Sequence, residues 1–168
     1  MEALLLLGGN QGDRLHILEQ SCRLIEERAG VVKSYSSVYE TEPWGFNAEQ
    51  TFYNIALLID TQLEAEELLK VVLNIEFELG RRRSGAEGYE SRPIDIDIIF
   101  YGNLVCESAT LTLPHPRMCE RKFVMIPVAQ IAPNYMHPIK KLSMSTLLNE
   151  CKDELEVKKV CEIFGKNE

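Results

Sequence analysis

The chain has 168 residues, a net charge of −8 and a hydrophobic fraction of 45%. That length makes one domain over residues 1–168 the default, and the apolar content excludes a wholly disordered chain. The acidic balance argues against a nucleic-acid binder, which needs a basic face. Cys22, Cys106, Cys119, Cys151 and Cys161 include no Cys-x-x-Cys pair; they read as reduced thiols of a cytoplasmic protein, not as a disulfide framework or a zinc site.

Leu4–Leu7 predicts a buried first strand, stopped by Gly8-Gly9-Asn10. The apolar run Ala3–Leu7 follows Glu2, lacks a basic flank and is too short for a signal or a membrane span, so no membrane partner is expected. Asp13 suits a helix N-cap, and Leu15, Leu18, Cys22 and Ile25 recur at helical spacing as far as Ala29, with Gly30 as the stop. Val31–Tyr39 predicts a strand, and Glu40–Gln50, with Pro43 and Gly45, a loop. Phe52–Thr61 is β-rich. Ala65, Leu68, Leu69, Val72, Leu73 and Leu79 mark a second amphipathic helix. Gly80–Ser91, basic and carrying Gly85 and Gly88, predicts a mobile loop.

Arg92-Pro93-Ile94-Asp95-Ile96-Asp97-Ile98 then alternates with period two, the rhythm of a half-buried strand with the isoleucines on one face and both aspartates on the other. A strand pair is expected around Gly102-Asn103, a short helix near Val124–Ile131, and a final helix, continuous or broken, over about Ser143–Phe164. The order strand, helix, strand, strand, helix, strand is that of an α+β, ferredoxin-like βαββαβ sandwich with an antiparallel sheet, here with an extra C-terminal helical segment. It sets the first strand beside the Asp-x-Asp strand at the sheet centre.

Two carboxylates one residue apart on a strand stand about 6.5–7 Å apart and repel. A hard divalent cation such as Mg²⁺, which takes oxygen ligands from one or two carboxylates plus substrate phosphates, relieves that repulsion; a solvated acidic face is the plain alternative. Gly8-Gly9 permits either a tight turn or close backbone approach to a ligand. There is no Gly-x4-Gly-Lys-Ser/Thr loop and no protein-kinase glycine loop, so ATP chemistry here needs another apparatus.

Arg81-Arg82-Arg83 suits either phosphate oxygens or a solvated helix C-terminus, the plainer reading for Arg81 and Arg82, while Arg92 sits at the mouth of the acidic strand. His115, between Pro114 and Pro116, is a restrained histidine, exposed or phosphate-facing. With Arg121 and the two aspartates it makes the parts list of a phosphoryl-transfer site. Glu76 falls on the apolar stripe of the second helix, where it either finds a partner or reaches out to solvent. Trp44, Phe46, Phe52, Tyr53 and Phe123 with Asn54 offer stacking surface and an amide edge for a planar heterocycle; core packing is the better reading for one of Phe52 and Tyr53, which point to opposite faces.

Gly8-Gly9-Asn10 with Gly12-Asp13, Tyr39-Glu40-Thr41-Glu42-Pro43-Trp44-Gly45, Phe52-Tyr53-Asn54, Glu76 with Leu79-Gly80-Arg81, Arg92-Pro93-Ile94-Asp95-Ile96-Asp97, Leu113-Pro114-His115-Pro116-Arg117, Glu120-Arg121-Lys122-Phe123-Val124 and Ile131-Ala132-Pro133, in this order, resemble the 6-hydroxymethyl-7,8-dihydropterin pyrophosphokinase family from about Leu4 to Pro138. The resemblance implies pyrophosphate transfer from ATP to a pterin hydroxymethyl group, releasing AMP, in folate biosynthesis. It implies two Mg²⁺ ions on Asp95 and Asp97, with Arg81 and Arg92 as further catalytic residues. It implies pterin contacts from Gly8, Thr41, Pro43, Trp44, Phe52, Asn54, Asp95 and Phe123, and ATP contacts from Glu76, Arg81, Arg83, Arg92, Ile98, Thr112, His115 and Arg121. Gly80–Ser91 is then expected as an arginine-bearing lid. A monomer functionally coupled to dihydropteroate synthase is the expected assembly.

The chain departs from the family at Gly9, where Ser is usual, at Tyr89-Glu90-Ser91, where Trp-Gly-Pro is usual, and beyond Lys140, where no match is placed. A non-catalytic ligand-binding module needs none of Asp95, Asp97, Arg92, His115 and Arg121 together, and a member that binds ATP but turns over slowly is suggested by the lid alone.

Overall fold

The computed structural model describes residues 1–43, 50–82 and 91–165. The first strand, β1, runs Glu2–Gly9, and helix α1 runs Arg14–Arg28, capped by the Asp13 carboxylate, which accepts from the His16 N–H at 3.2 Å. Cys22 and Ile25 are buried as the spacing predicts, but Leu15 is 37% exposed and Ser21 takes a place in the stripe. The expected Val31–Tyr39 strand is two, β2 (Val31–Tyr35) and β3 (Val38–Thr41). The break falls at Ser36-Ser37: the Ser36 hydroxyl accepts from Ala56 N–H and donates to Ser37 O, and Gln130 accepts from Ser37 N–H. Side-chain hydroxyls that satisfy backbone groups in this way interrupt a ladder. β3 also claims Glu40 and Thr41 from the expected loop.

Strand β4 runs Phe52–Asp60, helix α2 runs Ala65–Glu78 behind a Glu64–Glu67 capping box, and the acidic strand β5 runs Asp95–Tyr101. The sheet order is β5-β1-β4-β3, all antiparallel, with β2 also on β4. That is the ferredoxin-like order. β1 lies beside β5 as expected, but β5 is at the edge of the sheet and not at its centre. The expected strand pair around Gly102-Asn103 is displaced: β6 (Cys106–Glu107) and β7 (Thr112–Leu113) pair across residues 108–111, where Ser108 Oγ accepts from the N–H groups of Thr110 and Leu111. Gly102, at φ 51°, turns the chain out of β5 instead.

Helix α3 (Lys122–Ile131) follows a 3₁₀ turn at Met118–Glu120. The stretch expected as a final helix divides into α4 (Met144–Glu150), capped by Ser143, and a further strand, β8 (Val157–Cys161), on the outer side of β3. The sequence VKKVC explains the strand, since valine favours extended backbone and two lysines mark an exposed edge.

α1 and α2 cover one face of the sheet over Ala3, Leu5, Leu7, Ile55, Leu57, Ile59, Ile94, Ile96 and Ile98. α3 and α4 cover part of the other over Leu4, Leu6, Ala56, Ile99 and Phe100. The register skips at Ile99, since Leu4 pairs with Phe100 and Leu5 with Ile98. This bulge puts Ile99 and Phe100 on one face and turns Tyr101 to the other. Asp95 and Asp97, in phase with Ile99, therefore point to the face of α3 and α4. No helix among the described residues is long and apolar enough to cross a membrane.

Candidate active site

Period two builds the floor of the site. On the face shared with Leu4 and Leu6, β1 next presents Gly8; on the face shared with Ala56 and Leu58, β4 presents Asn54 and Phe52. Gly8 pairs with Asp95 on one side and Asn54 on the other, and Asn54 pairs with Tyr39. α3 and α4 cover the Leu4–Phe100 end of this face and leave the Gly8 end open. The result is a cavity of about 440 Å³ floored by Leu6, Gly8, Phe52, Asn54, Asp95 and Asp97. Thr41 at the end of β3 and Glu42 just after it close one side, and His115, Pro116, Arg117, Arg121 and Phe123 another.

Glycine at 8 is a geometric need, since a Cβ there meets Asn54 Oδ1 at 2.1 Å. Gly9 is equally constrained: its Cβ would meet Pro93 O at 2.1 Å. Gly9→Ala should lower stability by about 1–3 kcal/mol, the range for overpacking, read as a lower urea midpoint at unchanged slope.

A second cavity of about 300 Å³ adjoins the first and shares Asp95, Asp97, His115 and Pro116 with it. It lies at the edge of β5 away from β1, where among the described residues no strand pairs with Asp95–Ile98, and is lined by Glu76, Ile98, Thr110, Leu111 and Thr112. Asp95 and Asp97, on the edge strand, thus line both compartments.

Glu76 is 2% exposed and has found its partner: Arg81 Nη1 lies 2.7 Å from Glu76 Oε1 and also binds Asp95 Oδ1. Arg81 is itself 8% exposed, so it is not the solvated helix-end residue that its place in a triple arginine suggests. Arg82 does sit at the helix end, where it donates to Phe77 O. Burial works against the Arg81 charge, but Asp95 and Glu76 outweigh it and raise its pKa. Arg92 Nη2 stands 3.8 Å from Asp95 Oδ2, with its guanidinium 5.5 Å from the Phe52 ring centroid.

Desolvation pushes the Asp97 carboxyl well above the usual carboxylate range, and the charges of Asp95 and Glu76 push the same way against Arg92 and Arg81. Burial is the first cause, so the ionised form of Asp97 is favoured only when positive charge comes close to it. Among the described residues no group of three or more His, Cys, Asp or Glu could hold a metal. Two carboxylates on one sheet face fit an ion that keeps water and phosphate oxygens as its remaining ligands, the habit of Mg²⁺.

His115 donates its backbone N–H to Ile99 O at 2.8 Å, and its Nδ1 accepts from Arg117 N–H at 3.3 Å, so the neutral ring carries its proton on Nε2. Burial and Arg117 lower its pKa against the pull of Asp95. Burial also lowers the Arg121 pKa. Phe123 follows two residues later at the start of α3, with the Arg121 guanidinium 5.6 Å from its ring centroid.

Of the residues expected to touch pterin, Gly8, Thr41, Phe52, Asn54, Asp95 and Phe123 meet in the first cavity. Tyr53 turns to the opposite face under Arg14, 3.8 Å from its ring centroid. Pro43 is described but is not among the lining residues, and Trp44 lies outside the described residues. Of those expected to touch ATP, Arg81, Arg92, His115 and Arg121 line the first cavity, and Glu76, Ile98 and Thr112 the second. Arg83, Tyr89 and Glu90, and with them most of the expected lid, lie outside the described residues. Sequence reasoning did not single out Leu6, Glu42 or Arg117 as site residues. Leu6 is two residues before Gly8 on β1, so alternation was the signal for it; Arg117 lies in the turn after β7, where no local period applies.

The sequence pattern of the 7,8-dihydro-6-hydroxymethylpterin-pyrophosphokinase (HPPK) family matches residues 4–133. The chain is 39% identical over 136 residues to the 2-amino-4-hydroxy-6-hydroxymethyldihydropteridine pyrophosphokinase of Porphyromonas gingivalis, covering 80% of this chain and 92% of that one. It is 42% identical over 130 residues to the protein of the same name from Bacillus subtilis, covering 77% of each. Among solved structures it resembles the wild-type HPPK-DHPS of Plasmodium falciparum with pteroate, at TM-score 0.73 and 15% identity, over 89% of this chain and 44% of that one.

Proposed function

The chain belongs to the 7,8-dihydro-6-hydroxymethylpterin-pyrophosphokinase family and is an ATP-dependent pyrophosphokinase of folate biosynthesis; we propose how its residues divide that work. Asp95 and Asp97, which line both cavities, would hold two Mg²⁺ ions. The second cavity takes the nucleotide against Glu76, Ile98 and Thr112. The first takes the pterin ring between Phe52 and Phe123, with Asn54 and the backbone around Thr41–Pro43 on its edge. Arg81, Arg92, His115 and Arg121 face the phosphates.

The hydroxymethyl oxygen attacks the β-phosphorus of ATP, the bond from that phosphorus to the oxygen bridging the α-phosphate breaks so that AMP leaves with that oxygen, and the hydroxyl proton passes to solvent. Such a transfer asks for alignment and charge neutralisation more than covalent help. When bound, the ions supply charge neutralisation at the phosphates and a lower cost of ionising the hydroxyl. The chain's own residues do the rest. Gly8 lets the pterin approach the sheet backbone. His115, with Nδ1 occupied by Arg117 N–H, offers Nε2–H to a phosphate oxygen. Arg121, whose buried guanidinium carries a flat fork of donors, suits a phosphate.

The single observation that carries this division is the shared position of Asp95 and Asp97 in two adjoining cavities, one with an aromatic pair and one at an open strand edge. Mixing the protein with ATP, Mg²⁺ and 6-hydroxymethyl-7,8-dihydropterin should release AMP in proportion to pterin consumed. AMP formation that ignores pterin overturns the reading.

The chain is read as one domain, acting as a cytoplasmic monomer. The single-domain reading is supported by one sheet that joins β1 near the start of the chain to β8 near its end. Functional coupling to dihydropteroate synthase is supported by relatives that span more than this enzyme, such as the Dictyostelium discoideum folic acid synthesis protein, of which the matching segment is 20%.

A further inference from the structure

Asn10 is 2% exposed and directly follows β1, yet the division of roles above leaves it without one. Its side chain is fully used. Oδ1 accepts from Arg92 N–H at 2.9 Å, while Nδ2 donates to Ser91 Oγ at 3.1 Å and to Gln50 O at 3.4 Å. Its backbone N–H donates to Arg92 O at 2.9 Å.

Three segments that meet in the first cavity are tied by this one amide. The end of β1 carries Gly8, Gln50 leads into Phe52, and Ser91-Arg92 leads into Asp95. Pro93 has no N–H and cannot extend the β1–β5 ladder as a donor. Asn10 Oδ1 supplies the acceptor that fixes Arg92 one residue earlier, and glycine at 9 lets the two backbones touch there. An amide is the side chain that can accept from one segment and donate to two others. Holding Arg92 N and O fixes where its guanidinium stands, 3.8 Å from Asp95 Oδ2 and above Phe52.

We propose that Asn10 is a positioning residue for the pyrophosphoryl transfer, acting through Arg92. The inference rests on the enzymatic reading above, and its test separates the two. Steady-state kinetics are measured for wild type, Asn10→Ala, Arg92→Ala and the double variant, each with its thermal unfolding curve and with activity expressed per folded protein. A displaced catalytic group costs about 10²-fold in rate, so Asn10→Ala should lower kcat by about that factor. In the Arg92→Ala background the same change should lower kcat by less than about 3-fold, because residues that act as a unit are non-additive. Asn10→Ser, a milder change, runs through the same cycle.

Equal losses in both backgrounds overturn the proposal, as does an unchanged kcat in fully folded Asn10→Ala. If neither Asn10 variant yields native protein, Asn10 is a folding residue and the positioning role also falls. A wild type that makes no pterin-dependent AMP defeats the enzymatic reading instead.

Discussion

Asp97→Asn should lower pterin-dependent AMP formation by about 10²–10³-fold or more, the scale for losing one preorganised electrostatic contact, while the chain stays folded. Asp97 lies where the two cavities join, and its carboxyl has Asp95 and Glu76 as like-charged neighbours. The amide keeps the shape of the side chain and removes the charge a cation needs. It also relieves repulsion at the cavity floor, so the metal-free variant should melt no earlier than metal-free wild type. A second readout is Mg²⁺ titration in the presence of a non-hydrolysable ATP analogue, in which the variant should bind the metal more weakly. Asp95→Asn should lose activity alike but also lose stability, since Asp95 is the partner of Arg81 and Arg92. Wild-type turnover in both variants would refute the metal role.

The largest effect on stability is expected at Arg81. Arg81→Met leaves Glu76 buried without the guanidinium 2.7 Å away and removes the partner of Asp95 as well. Breaking a buried pair from one side costs about 3–5 kcal/mol. For a chain of this size that is a fall in Tm of about 10 °C. The double variant Glu76→Leu/Arg81→Met should recover much of the loss, because an apolar pair of similar volume carries no desolvation cost. Urea unfolding of wild type and the two variants measures both steps. A single variant as stable as wild type would mean that the buried pair contributes nothing. Activity is not expected to return in the double variant, since Arg81 also lines the cavity.

The pair shows how a correct sequence observation can carry the wrong local picture. Three consecutive arginines after a helix read as a solvated basic end, and for Arg82 they are. Arg81 differs because α2 packs against the sheet and brings Glu76 and Asp95 together, five residues before and fourteen after it. No local rule holds that information. The strand break at Ser36-Ser37 and the formation of β8 have the same origin. Each depends on groups distant in the chain, namely Ala56 with Gln130 for the first and the open edge of β3 for the second.

What the sequence determined by itself is the list of parts and their faces. Period-two alternation assigned Asp95 and Asp97 to one face of a strand and Ile94, Ile96 and Ile98 to the other, and both assignments hold, because side-chain direction in a strand is a local property of the backbone. The order of elements fixed the ferredoxin-like class, and the family motifs fixed the reaction. The tertiary structure decided what each part is next to. It put β5 at the sheet edge, with the aspartates between an aromatic cavity and an open one, and it set Asn10 where one amide ties three segments. Those placements follow from sheet order and from contacts up to 82 residues apart in the chain, and only the packed fold expresses them.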